Sequence, residues 1–131
     1  MNRLIEGLVA GAAVALVATG AIAAPNHEPR TPCFFITQWQ GWKSPSPKVL
    51  YLGVNMHDVY RVDLAAEASM LNDPGAHLVS EVRGSDSICS ALDLRLTVAD
   101  FGGMREPLFP VKLTKLTPEE VAAIPRKFNP N

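Results

Sequence analysis

The sequence predicts a mainly β domain of the α+β kind. The expected architecture is a curved or partly barrelled antiparallel sheet of five to six strands with one short C-terminal helix. Three observations predict it. Short segments alternate apolar and polar side chains at period two, as in Val59–Leu64 and Leu92–Val98. Clusters of Asn, Asp, Gly and Pro separate those segments. A single helix-start signature, Thr117-Pro118-Glu119-Glu120, stands near the end of the chain.

The first element is not structural. Arg3 gives a positive start, an uncharged apolar run follows from Leu8 to Ala18, and Ala21-Ile22-Ala23 offers the small residues that a signal peptidase reads. Residues 1–23 therefore read as a secretory signal peptide. Cleavage after Ala23 is preferred to cleavage after Ala24, because Pro25 fits poorly just past the cut. The apolar core is too short for a stable membrane span. Ala24 stands where a lipoprotein needs its cysteine. Residues 24–32, with Pro25, Pro29 and Pro32, read as a flexible arm. Residues 33–131 form one small domain. Loss of Arg3 and Glu6 with the signal lowers the 12 basic and 13 acidic residues by one each, so the net charge stays at −1. No basic excess exists to neutralise phosphates, which argues against nucleic acid as a partner. No later segment reaches membrane-spanning length.

Within the domain, Cys33–Trp42 favours a strand through its aromatic content, and Ser44-Pro45-Ser46-Pro47 breaks it. Val49–Val54 and Val59–Leu64 form an antiparallel hairpin around Asn55-Met56-His57-Asp58. Ala65–Leu71 leaves room for one helical turn, and Asn72-Asp73-Pro74-Gly75 is a turn. His77–Arg83 alternates again, Gly84-Ser85-Asp86 turns the chain, and Ser87–Ser90 carries Cys89. Leu92, Leu94, Leu96 and Val98 share one strand face. Asp100–Gly103 turns back into a strand bearing Phe109, Val111 and Leu113, placed at an edge by Pro107 and Pro110. Thr117 caps the final helix, Leu116 staples against Val121, and Pro125 ends it after about two turns. So short a helix survives only when docked on the sheet.

Two cysteines remain in the exported chain, Cys33 and Cys89. In an oxidising compartment they read as a structural disulfide. Their separation of 56 positions is far from the two-residue spacing of redox pairs.

Several segments carry a family resemblance. Cys33-Phe34 leads into a Trp-containing strand, and a hairpin ends in Tyr60-Arg61-Val62-Asp63-Leu64. Arg83-Gly84-Ser85-Asp86-Ser87-Ile88-Cys89 and Leu116-Thr117-Pro118-Glu119-Glu120 follow. Together they resemble an uncharacterised family, a domain of unknown function, of small exported proteobacterial proteins, many of them lipoproteins. The likeness runs from Cys33 to Ile124. Family members commonly carry two more cysteines, which fall by spacing near Ala68 and Phe109. This chain has neither, so the resemblance implies that the missing two pair with each other and that Cys33 pairs with Cys89. It also gives weight to Arg83–Asp86 as a site, where a rigid turn beside a disulfide presents Arg83 to an acidic ligand. The family carries no activity over.

Candidate chemistry is sparse. His57-Asp58 works as a base and its orienting carboxylate only if the turn re-aims adjacent side chains; two polar turn residues is the plainer reading. Ser85 or Asp86 with His57 or His77 offers a hydrolytic set, but the Gly-x-Ser-x-Gly elbow is missing and a hydrogen-bonded turn accounts for the residues. His27, His57 and His77 lack the spacing that presents two metal ligands together. Gly102-Gly103 reads as a turn and not as a dinucleotide fingerprint. Trp39 and Trp42, three apart in a strand, face opposite sides, so one points outward and offers an anchor. The expected function is a non-enzymatic periplasmic or secreted module, without cofactor or metal, that binds a protein or an envelope component. Arg83, Ser85, Asp86, Trp39 and Trp42 are its candidate binding residues. A small hydrolase built on the Arg83–Ser87 turn, or a purely structural envelope protein, is the alternative.

Overall fold

The computed structural model describes residues 32–131. The segment expected to be a signal peptide, 1–23, and the expected arm up to residue 31 lie outside the described residues. The described chain is mainly β, with nine strands and one α-helix. Every strand pair is antiparallel. The strands form three open sheets in place of the single curved sheet expected from sequence. β1 (Phe34–Phe35) pairs with β6 (Ser87–Ile88). β2 (Trp39–Ser46), β3 (Val49–Val54), β4 (Asp58–Leu64) and β9 (Pro110–Lys115) form a four-stranded sheet in that order. β5 (His77–Ser80), β7 (Leu96–Ala99) and β8 (Arg105–Pro107) form the third. α1 spans Pro118–Ala123.

Local chemistry explains most of these elements. The β3–β4 hairpin turns through residues 55–57, where Asn55 takes a positive φ of 52° that Asn tolerates well. Leu50, Leu52 and Val54 on β3 face the core together with Tyr60, Val62 and Leu64 on β4. Leu94, Leu96, Val98, Leu108 and Leu113 join the same apolar cluster, as do Phe34 and Ile88, register partners in the two-stranded sheet. The proline-bearing strand β9 sits at an edge, as its missing donor requires. Thr117 Oγ1 accepts the Glu120 N–H at 3.2 Å, and the Glu120 carboxylate returns to the Thr117 hydroxyl at 3.2 Å instead of to the backbone. Ile124, just past α1, is buried.

Five segments depart from the sequence reading. The expected strand Cys33–Trp42 is split by a 3₁₀ turn over Ile36–Gln38, because the Gln38 side chain accepts the Phe35 N–H at 2.9 Å. The Ser-Pro run does not break the strand. β2 continues to Ser46 as an edge strand, where Pro45 forfeits no ladder bond, and the Ser44 hydroxyl lies 2.6 Å from the Ser46 carbonyl and 3.0 Å from that of Val49. β5 ends at Ser80, leaving Val82 exposed. The expected strand over Leu92–Val98 starts only at Leu96, because Ala91–Asp93 curls into a 3₁₀ turn. Leu94, Leu96 and Val98 are buried as expected, but Leu92 is 86% exposed. In β9 only Leu113 is buried, while Val111, and Phe109 just before the strand, face outward beside a bulge opposite Asp63–Leu64.

Both tryptophans pack against the core, so neither is the outward anchor expected at three-residue spacing. Register gives the reason. Trp39 pairs with Val54 and Gly41 with Gly53, so Gln40 is an extra residue in β2. That bulge turns a three-residue spacing into an even one across the ladder. Trp42 then pairs with Leu52, on the same face as Val54. The Trp39 indole N–H donates to the Gly41 carbonyl at 2.8 Å and fastens the bulge.

Candidate functional site

Cys33 and Cys89 are joined by a disulfide, with sulfurs 2.12 Å apart. The bond ties the start of β1 to the end of β6, and the turn that carries Arg83, Ser85 and Asp86 runs directly into β6. Each turn residue has a defined place. Gly84 takes a φ of +83°, which lets the chain reverse. Ser85 Oγ accepts the Ser87 N–H at 3.1 Å, so its side chain holds the turn. The Asp86 carbonyl accepts the Ile36 N–H at 2.8 Å, which anchors the turn to the segment after β1. Arg83 Nη2 reaches Glu81 Oε2 at 3.2 Å, with both side chains mostly in solvent.

Asp93 braces the other side of this region. Its Oδ2 accepts the Cys89 N–H and the Ser90 N–H, each at 2.9 Å, and the Ser90 hydroxyl at 3.2 Å. The Cys89 N–H is the chief cause holding its carboxyl below the usual aspartate range, with the Ser90 donors adding to the effect against a desolvation that opposes it. The charge of Asp93 is thus spent inside the turn. The same turn pushes Leu92 out into solvent.

Two shallow depressions meet at Leu92. One, of about 160 Å³, is lined by Arg83, Ser85, Leu92 and Arg95 among others. Its neighbour, of about 420 Å³, shares Glu81, Leu92 and Arg95 and adds Pro107, Phe109 and Pro110. Phe109 is 59% exposed. The result is a continuous surface on which two apolar side chains, Leu92 and Phe109, stand among the arginines Arg83 and Arg95. Among the described residues Arg95 makes no ion pair, whereas Arg83 pairs with Glu81.

The structure sorts the sequence candidates. Arg83 and Ser85 line this surface, and Asp86 supports it through its backbone. Trp39 and Trp42 are partly buried and pack against the core, and Trp42 also lines a separate depression with Lys43 and Phe128. His57 sits in the β3–β4 loop and His77 at the start of β5, where its ring lies 6.1 Å from that of Phe101. Neither histidine lines the depression that holds Ser85. His27 lies outside the described residues. Among the described residues, no three His, Cys, Asp or Glu side chains gather as a metal site would, and no helix is long and apolar enough to cross a membrane.

Sequence reasoning missed Leu92 and Phe109. The signal for Leu92 was present as Ser90-x-x-Asp93, a cap-like spacing that starts a helical turn and interrupts strand alternation. No local signal marked Phe109, since its exposure follows from a bulge set by register. No family model matches the chain, and no curated protein or solved structure matches it either.

Proposed function

We propose that this chain is an exported, non-enzymatic binding module, and that its partner docks on the surface around Leu92. The signal-like segment, the disulfide and the resemblance to small exported proteins support export. The observation that carries the binding reading is the pairing of exposed Leu92 with exposed Phe109 between two arginines on a disulfide-braced turn. Large apolar side chains exposed to solvent gain free energy when a partner covers them. An exposed aromatic such as Phe109 with arginine nearby is the composition enriched at interfaces. The partner is a protein or envelope component that offers an apolar group flanked by a carboxylate, since Arg95 stands ready to pair.

Site-specific photo-crosslinking in the native compartment tests this. A photoreactive residue at Leu92 is expected to give one discrete adduct, and the same residue at Glu119 on α1 is expected to give none. Phe109→Asp is expected to remove the Leu92 adduct while leaving the disulfide and the fold intact. Equal adducts from both positions, or none from Leu92, would overturn the reading.

A further inference from the structure

A second surface, chemically unlike the first, lies on the face of the four-stranded sheet opposite the core. Strand register sets its composition. Lys43 pairs with Tyr51, Tyr51 with Arg61, and Arg61 with Thr114, so these four side chains form one row across all four strands. The next row places Asp63 opposite Lys112. Leu116, Glu120 and Ile124, from the α1 region, wall the same depression, whose volume is about 480 Å³.

The charges on this face differ in how they are held. Arg61 and Lys112 line the depression together with Asp63 and Glu120, and Lys43 stands at the far end of the Tyr51–Arg61 row, outside the depression. Asp63 Oδ1 accepts Arg61 Nε at 3.1 Å and Nη2 at 3.0 Å. Those two bonds hold the guanidinium flat and oriented while leaving the Nη1 donors without a partner among the described residues. Lys43 and Lys112 make no ion pair among the described residues. Glu120 in the wall already accepts the Thr117 hydroxyl.

We propose that this face binds a sugar bearing a carboxylate, a uronic-acid type of unit. The oriented guanidinium and the nearby Lys112 ammonium match a carboxylate. The Tyr51 ring beside Arg61 offers a π face, negative at its centre, against which the slightly positive C–H groups of a pyranose ring rest. Thr114 supplies a hydroxyl on the far side of Arg61 for a ring hydroxyl. A free phosphate fits less well. Phosphate sites gather converging backbone N–H groups in a nest, and here the strand amides are committed to the ladder. The depression is open and broad, as a flat ring requires, and its volume lies within the range of small-ligand sites. This site stands apart from the Leu92 surface and does not depend on it.

Amide chemical-shift titration of the full exported chain tests the proposal, with glucuronate, glucose, acetate and inorganic phosphate as probes. Glucuronate is expected to shift the amides of Tyr51, Arg61, Lys112 and Thr114 saturably. Glucose and acetate are each expected to bind at least about tenfold more weakly, because each satisfies half of the site. Arg61→Gln, and separately Lys112→Gln as a more exposed change, are expected to weaken glucuronate about tenfold with an unchanged glucose response. Tyr51→Ala is expected to weaken glucuronate and leave acetate unchanged. No saturable shift with glucuronate, shifts mapping elsewhere, or acetate or phosphate matching glucuronate would each overturn the proposal.

Discussion

Asp93 and Tyr60 show how single side chains secure this domain, and each makes its stability depend on pH in a definite direction. The Asp93 carboxylate satisfies two backbone donors and one hydroxyl at the start of the Ala91–Asp93 turn. Replacing such a capping acceptor with alanine costs about 1 kcal/mol. Because folding holds the Asp93 carboxyl below its usual range, its stabilisation is complete above the unfolded value of about 3.9 and fades as pH falls through the lower folded value. Urea midpoints measured between pH 2 and 6 are expected to fall with acid less steeply in Asp93→Asn than in the parent. Parallel curves would remove Asp93 from the account. Tyr60 works at the alkaline end. Its hydroxyl donates to the Pro32 carbonyl at 2.9 Å, and its ring lies 4.6 Å from that of Phe34. Burial, then the charge of Asp58, raises its phenol above the usual value. Its contribution is therefore complete below pH about 10 and is lost as pH rises through the higher folded value. Tyr60→Phe is expected to cost about 1 kcal/mol at neutral pH and to flatten the alkaline loss of stability. Unfolding curves at pH 7 and pH 11 check both parts.

At the scale of elements, β-bulges decide which side chains meet. The Gln40 bulge turns both tryptophans inward and brings Gly41 opposite Gly53. That glycine pair leaves a bare strip where the C-terminal residues lie. A Cβ on Gly53 would stand 2.5 Å from Asn131 Oδ1 and 3.2 Å from the Pro130 carbonyl, and one on Gly41 would stand 3.0 Å from that same carbonyl. Alanine otherwise suits a strand better than glycine. Gly53→Ala is therefore expected to destabilise the full chain by about 1 to 2 kcal/mol through crowding. It is expected to be neutral or slightly stabilising in a chain ending at Phe128. A double-mutant cycle by urea unfolding checks this, and equal costs in both backgrounds would show that the tail is not what the new methyl meets. The same elements show what the sequence made legible. The β3–β4 hairpin, the edge position of β9 and the cap of α1 follow from local alternation, proline chemistry and the Thr117–Glu120 spacing. The inward Trp42 and the outward Leu92 and Phe109 were not legible by alternation, since one extra residue or one 3₁₀ turn reverses every later assignment in a strand. The Tyr51–Arg61–Thr114 row was hidden for a related reason. Its members are far apart in sequence, and only pairing of β3, β4 and β9 brings them together. The cysteines and the Arg83–Asp86 turn were legible, because turn residues and cysteine count need no register.

For the whole molecule, the disulfide is the one long-range covalent constraint among the described residues. It closes a loop that contains β1 through β6. The sheet it braces, β1 with β6, has only two residues per strand and cannot hold itself together. Closing a loop of this span stabilises a fold by about 4 kcal/mol through the unfolded ensemble, a large part of the roughly 5–15 kcal/mol of a small domain. The double variant Cys33→Ser with Cys89→Ser is therefore expected to unfold at a markedly lower urea midpoint. It is also expected to show a slightly larger m-value, because its unfolded chain expands further. An unchanged midpoint would mean that the bond constrains nothing that the fold does not already hold. The loss is also expected to be uneven. The Leu92 surface rests on the turn between Cys89 and Asp93, so it loosens first when the bond is absent. The outer face of the four-stranded sheet is held by the β3–β4 and β4–β9 ladders, which the bond does not touch. At denaturant concentrations where the variant remains folded, hydrogen exchange is expected to quicken at Ser90–Asp93 and to stay slow at Tyr51 and Arg61. Uniform quickening would instead make the bond a brace of the whole core, and both proposed sites would then weaken together on reduction.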